Sequence, residues 1–241
     1  MRAVLLVLIS LVFAGCEAAQ PSPQSLQAAP LEEDWAVEWW MSRHEQKRID
    51  KTRQDVDLIF IGDSITHGWE TDGKTVWDEF YAERNGFNLG FSGDRTENVL
   101  WRLHNGAVDG LSPKLVVMMI GTNNTGHRMD PAAHTLAGID DIIRQFKKDL
   151  PDTEILLLAI FPRGKTAEDP MRIQNEKINA LLAAREAEAR VTYVNINSVF
   201  LNETGGIDEA IMPDLLHLSP EGYALWAEAI EPYIVELMGT E

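Results

Sequence analysis

The run from Val56 to Thr66, VDLIFIGDSIT, sets the strongest limit on how this chain can fold. Its apolar part has the length and composition of a strand buried on both faces, and it stops at a Gly-Asp-Ser turn. Strands of that kind belong to parallel sheets covered by helices on either side. The turn leaves the Ser64 hydroxyl at the carboxyl end of a strand, the edge where open α/β sheets gather ligands and chemistry. Taken alone, a serine here is more commonly the N-cap of the next helix. The rest of the chain has to decide.

Four further strand-like runs follow, at Phe87–Phe91, Leu115–Ile120, Glu154–Phe161 and Val191–Ile196. Between them lie segments with helical spacing. Val76, Trp77, Phe80 and Tyr81 mark a helix within 69–84, and Thr96–His104 forms another. Asp130-Pro131, Asp169-Pro170 and Ser219-Pro220 are helix starts, each with a capping residue before a proline suited to the first turn. Pro232 is expected to kink the last helix. A mixed apolar stripe from Trp35 to Arg53 gives a helix before the first strand. Strands alternating with helices predict a three-layer α/β/α sandwich around a five-stranded parallel sheet, of flavodoxin-like type.

The chain has 241 residues and is 45% hydrophobic, enough for one sizeable core. With 38 Asp and Glu against 21 Lys and Arg, its formal net charge is -17. That balance argues against sequence-independent binding to nucleic acid or to an anionic membrane surface, both of which need a basic patch. Residues 1–15 read as a targeting segment: Arg2, then an apolar stretch from Val4 to Phe13 too short for a permanent span. Ala14 and Gly15 precede Cys16, the only cysteine. The pattern resembles a bacterial lipoprotein signal in which Cys16 is lipidated, giving an exported, cell-envelope protein that meets the membrane only through its anchor. Phe13 departs from that pattern and leaves ordinary cleavage, to the periplasm or outside, open. Residues 16–30, rich in Ala, Gln, Pro and Ser, read as a flexible tether, with the folded domain at 31–241.

Three of the loops at the predicted sheet edge carry unusual residues. The second strand ends in GFSGD, so Gly93 can bring a backbone amide close to a substrate oxygen. The third ends in GTNN, where Asn123 offers a carboxamide donor, and DLLH near the carboxyl terminus sets Asp214 three residues before His217. Each has an ordinary alternative: a turn, a helix cap, a surface histidine. Together they supply a nucleophile, oxyanion donors, a base and an orienting carboxylate.

The ordered set GDSIT, GFSGD, GTNN and DLLH closely resembles the SGNH (GDSL-type) hydrolase superfamily. The run NLGFSGDRTENVLWRLHNG, followed by FPRG, is most similar to the catalytic subunits of platelet-activating-factor acetylhydrolase and their bacterial relatives. The Gly-x-Ser-x-Gly elbow of α/β-hydrolases is absent. The resemblance implies a serine esterase without metal or cofactor, with Ser64 as nucleophile, His217 as base and Asp214 as its orienting partner. The oxyanion would rest on the Ser64 and Gly93 amides and the Asn123 side chain. It further implies that Ile65, Thr122 and Leu216 wall an acyl pocket sized for a short group such as acetyl. Arg95 and Trp101 either touch the alcohol portion or serve as cap and core. The substrate class is a small ester of a carbohydrate or a lipid. A long-chain lysophospholipase or thioesterase, and a non-catalytic surface binding module, are the competing readings. Oligomeric state is not legible.

Overall fold

The computed structural model describes residues 22–239, so the targeting segment at 1–15 and Cys16 lie outside the described residues. Five strands, β1 (Leu58–Gly62), β2 (Gly86–Gly90), β3 (Leu115–Met119), β4 (Glu154–Leu158) and β5 (Val191–Val194), form one sheet. It is parallel throughout, in the order β2-β1-β3-β4-β5. Chain order therefore reverses direction between β1 and β3, and a crevice opens where their carboxyl ends part.

Alternating side chains of the strands feed two separate cores. Ile59, Ile61, Val116, Met118, Ile155 and Leu157 face α4 (Thr96–His104), α6 (Ala132–Asp149) and α7 (Pro170–Leu182), which contribute Val99, Ile139, Ile142 and Ile178. Leu58, Phe60, Val117 and Leu156 face the opposite layer, with Trp69 and Tyr81 around α3 (Lys74–Phe80) and Trp226 and Ile230 on α8 (Pro220–Met238). The sandwich has the three layers expected.

Local chemistry accounts for several departures from the expected boundaries. The helix placed at 69–84 is reduced to α3, with short 3-10 turns at Gly68–Glu70 and Ala82–Arg84. The first helix, α1, runs only from Trp40 to Asp50. Asp169 and Ser219 cap their helices as expected, accepting from Met171 and Arg172 and from Gly222. Asp130 does not: Pro131 takes the cap position of α6, and the carboxylate pairs with Arg128 and Asn124 instead. The last helix continues past Pro232 to Met238.

The tether expected at 16–30 needs a larger correction. Residues 22–30 lie against the α4–α6 layer, with a 3-10 turn at Gln24–Leu26 and Ser25 buried. Ser25 Oγ donates to His134 O at 2.7 Å and Thr96 Oγ1 donates back to Ser25 O at 3.0 Å. Asn98 Nδ2 donates to Ala29 O at 3.0 Å. A composition poor in large apolar groups suggested a linker, but backbone hydrogen bonds to a packed helix need no apolar side chains.

Candidate active site

β1 ends at Gly62, and Asp63 becomes the N-cap of a one-turn helix, α2 (Ser64–His67), its carboxylate accepting the Ile65 N–H at 3.0 Å. The capping duty thus falls on Asp63. Ser64, the first helical residue, keeps its hydroxyl free to turn into the crevice. Ser64 Oγ stands 2.8 Å from His217 Nε2. On the other side of the ring, His217 Nδ1 lies 2.6 Å from Asp214 Oδ2.

The loop that carries His217 is ordered by its own carboxylate. Asp214 Oδ1 accepts the backbone N–H of Leu216 at 3.1 Å and of His217 at 2.7 Å, while Leu215 adopts a left-handed φ of 61°. Burial would raise the Asp214 carboxyl, but the hydrogen bonds and charge of His217 outweigh it and hold it below the ordinary value. Both side chains are open to solvent, Asp214 at 56% and His217 at 44% exposure.

The remaining expected donors stand in the loops that follow β2 and β3, at the same carboxyl edge of the sheet. Gly93 has φ 80°, a conformation that favours glycine, and its N–H has no acceptor among the described residues. Asn123 lies in α5 (Thr122–Arg128), a short helix not anticipated from sequence, and donates from Nδ2 to Asp94 O at 3.0 Å. One contact therefore ties the third-strand loop to the second. Asn124, its neighbour, turns away: its Oδ1 accepts from Thr96 N and its Nδ2 donates to Asp130.

Beneath this edge sits a fully buried ion pair. Arg102 Nε donates to Asp94 Oδ2 at 2.8 Å, and Trp40 Nε1 donates to Asp94 Oδ1 at 2.6 Å. Burial pushes the Asp94 carboxyl up to about 6 even so, against the pull of Arg102 and Trp40. Asp63, also enclosed, is pushed up to about 7 by burial, with its Oδ2 unpartnered.

The acyl-pocket expectation does not hold for two of its three residues. Ile65 and Thr122 are each 1% exposed. Ile65 belongs to the core around Trp69 and Tyr223, since one step along α2 from Ser64 turns the side chain inward. Thr122 Oγ1 is occupied by Arg163 Nη1 and Asn175 Nδ2, both at 3.2 Å. Leu216 alone stays partly exposed. The open space beside Ser64 is a cleft of about 250 Å³ lined by His67, Gly68, Thr71, Ser92 and His217. Trp101 packs on Trp40 and His44, and the Arg95 guanidinium is held by Glu33 and Glu97, so neither projects into that cleft.

Sequence reading passed over His67, Ser92 and Arg163. His67 follows Ser64 by three residues, one helical turn, and that spacing was available as a signal. Its ring is held neutral, down to about 4, by burial and by Arg43, and its Nδ1 lies 3.0 Å from Ser92 Oγ. Arg163, within the FPRG run, donates to the Thr122 carbonyl at 3.0 Å and so fastens the start of α5.

Known proteins resemble this chain over most of its length. The model of the GDSL-like lipase/acylhydrolase family matches residues 60–225. Platelet-activating factor acetylhydrolase IB subunit alpha1 of Homo sapiens is 32% identical over 206 residues, 84% of this chain and 85% of the relative. Among solved structures, a GDSL-like lipase from Bacteroides thetaiotaomicron superposes with a TM-score of 0.65 at 21% identity, covering 81% of this chain and 97% of that one. An acetylxylan esterase from Geobacillus stearothermophilus gives 0.59 at 21% identity, covering 76% and 94%.

Proposed function

This chain belongs to the GDSL-like lipase/acylhydrolase family and is a carboxylic ester hydrolase, and we propose that it cleaves short acyl esters, acetyl above all, through Ser64, His217 and Asp214. The observation that carries the proposal is the unbroken line from Ser64 Oγ through the His217 ring to Asp214, at 2.8 and 2.6 Å. His217 Nε2 takes the Ser64 proton as Oγ attacks the ester carbonyl. The carbonyl oxygen then carries negative charge toward the Ser64 and Gly93 amides and the Asn123 carboxamide. Collapse of the tetrahedral species breaks the bond to the alcohol, which leaves with the proton from His217. Water, deprotonated by the same imidazole, attacks the acyl-Ser64 ester and frees the acid. Asp214 keeps the proton on Nδ1 and favours the imidazolium of each transition state.

Two features support a short acyl group. The cleft of about 250 Å³ is below the roughly 300–1,000 Å³ of sites that enclose drug-sized ligands, and it has to admit part of the alcohol as well. The relatives at 32% identity are named as acetylhydrolases. A series of p-nitrophenyl esters from acetyl to palmitoyl tests the reading. We expect kcat/KM to fall steeply beyond butyryl; a preference for decanoyl or longer would transfer the assignment to the lysophospholipase reading. Export, through the apolar run at Val4–Phe13 with Cys16 as the anchor point, belongs to the same proposal. The anchor fails, and simple secretion takes its place, if the full-length protein partitions into the aqueous phase of a detergent extraction.

A further inference from the structure

The crevice is flanked by a segment that lies before β1. Trp35 is 53% exposed, high for the largest apolar side chain, yet it is fixed in place. A Cβ on Gly93 would collide with Trp35 Cη2 and stand 2.8 Å from Cζ2, so one edge of the indole rests on the residue proposed above as an oxyanion donor. Trp39 follows one turn later, its Nε1 donating to Trp35 O at 3.2 Å. The two rings are 6.3 Å apart and 32° from coplanar. Trp39 in turn lies 5.9 Å from His67 at 36°, and His67 reaches Ser92 Oγ at 3.0 Å. A shallow, gently bending aromatic strip therefore leads from solvent to the Ser64 cleft.

We propose that Trp35 and Trp39 form the alcohol-side subsite of the esterase, and that it takes a sugar ring of an acetylated carbohydrate. The inference rests on the esterase reading and adds the class of alcohol. A pyranose has a C–H face that covers an indole and a rim of hydroxyls that need partners. The strip offers open indole surface, and the cleft it enters offers the Asp72 carboxylate and the Thr71 and Ser92 oxygens, which already meet Gly68 O and His67 Nδ1 but keep lone pairs to accept from a sugar hydroxyl. A lysophospholipid would ask for a cation free to meet phosphate. The cations beside the strip are already used: Arg43 and Lys47 both bind Glu70 at 2.8 Å, and Arg95 binds Glu33 at 2.6 Å and Glu97 at 2.9 Å. A long acyl chain would want an enclosed apolar channel, whereas this surface is open and ends among hydroxyls. His67, neutral across the physiological range, adds an uncharged ring to the strip.

Steady-state kinetics on acetylated xylo-oligosaccharides, triacetin, p-nitrophenyl acetate and an acetyl-glycerophosphocholine test this, with wild type and the Trp35→Ala, Trp39→Ala and Trp35→Phe variants. The wild type should show a KM for the glycan ester about tenfold below that for triacetin, which has the same bond and no ring. Each alanine variant should lose about tenfold more kcat/KM on the glycan ester than on triacetin, mainly through KM, with Trp35→Phe recovering part of the loss. Melting midpoints identify any variant that fails to fold. Titration of the Ser64→Ala protein with the same glycan ester, read by tryptophan fluorescence, gives binding independently of turnover. Equal losses on all four esters would make the tryptophans mere supports of Gly93 and overturn the subsite. So would a preference for the phosphocholine ester, or a concentration-dependent dimer that shields the tryptophans from the glycan. Failure of the esterase reading itself has a different signature: full p-nitrophenyl acetate turnover in Ser64→Ala.

Discussion

The two halves of the crevice are built on opposite plans. Ser64, Gly93 and Asn123 follow directly on β1, β2 and β3, and behind them Asp63, Asp94 and Arg102 are sealed from water. Asp214 and His217 sit on a loop before α8, about half exposed, held chiefly by the hydrogen bonds of Asp214 to its own loop. On the strand side, any residue that shapes chemistry also bears on stability, because it is wired into a dry interior. On the loop side the two roles come apart. Chemistry can be deleted there with little effect on the fold.

The largest effect should come from the pair that joins the halves. Ser64→Ala and His217→Ala should each lower kcat by about 10⁶, and the double variant should be hardly worse than either, as for residues acting as one unit. The comparison adds a stability expectation: His217→Ala should leave the melting midpoint nearly unchanged, since an exposed side chain has little packing to lose. Rates and thermal melts on the three proteins check both. A His217→Ala protein that melts many degrees lower would show that the loop is structural after all.

What could be read from sequence divides along the same line. Strands β1 to β5 and the order of the four motifs were visible because buried strands write apolar runs, and because Ser64, Gly93 and Asn123 each stand just past one. The orientation of Ile65 and Thr122 was not visible. Adjacency to a catalytic residue says nothing about direction once the chain enters a helix, where each step turns a side chain through about 100°. Residues 22–30 were misread as tether because their anchoring is by backbone carbonyls to Thr96 and Asn98, which composition does not record. Arg102 gave no signal either. A charge on a helix normally implies solvent, and only the fold shows Asp94 waiting behind it.

The next effect tests the sealed half alone. Arg102→Met leaves Asp94 buried without its cation and should cost about 3–5 kcal/mol of stability, measured by denaturant unfolding. Activity in the fraction that stays folded should also fall, because Asp94 O is the group that holds Asn123. Unchanged unfolding would mean that the carboxyl is protonated and the pair contributes nothing. Asn123→Ala follows, with kcat lower by about 10²–10³ and little change in KM. Because its Nδ2 also bridges the second and third loops, stability should drop by about 1 kcal/mol as well. Loss of stability with full turnover would remove Asn123 from the oxyanion site.

The smallest effect concerns pH, and there the two halves differ in sign. Asp63 is raised from 3.8 to about 7, chiefly by burial, so the folded protein holds a proton there that the unfolded chain releases. Its contribution to stability is complete below about pH 4 and is lost as pH rises through 7. Asp214 is lowered: its contribution is present above the ordinary carboxylate range and is lost as pH falls below it. The sealed half should therefore weaken the fold toward alkaline pH, and the exposed loop toward acid. Asp63→Asn separates them, since the amide can still accept the Ile65 N–H through its oxygen while carrying no charge at any pH. Melting midpoints between pH 5 and 8 should decline in the wild type, by no more than the equivalent of about 1.4 kcal/mol per pH unit from this one proton. The variant should decline less, keeping only what Asp94, raised to about 6, adds below neutrality. Below pH 4 the two proteins should converge, because Asp63 is then protonated in both folded and unfolded wild type. Parallel curves across the whole range would mean that water reaches Asp63, and that the crevice floor is not sealed.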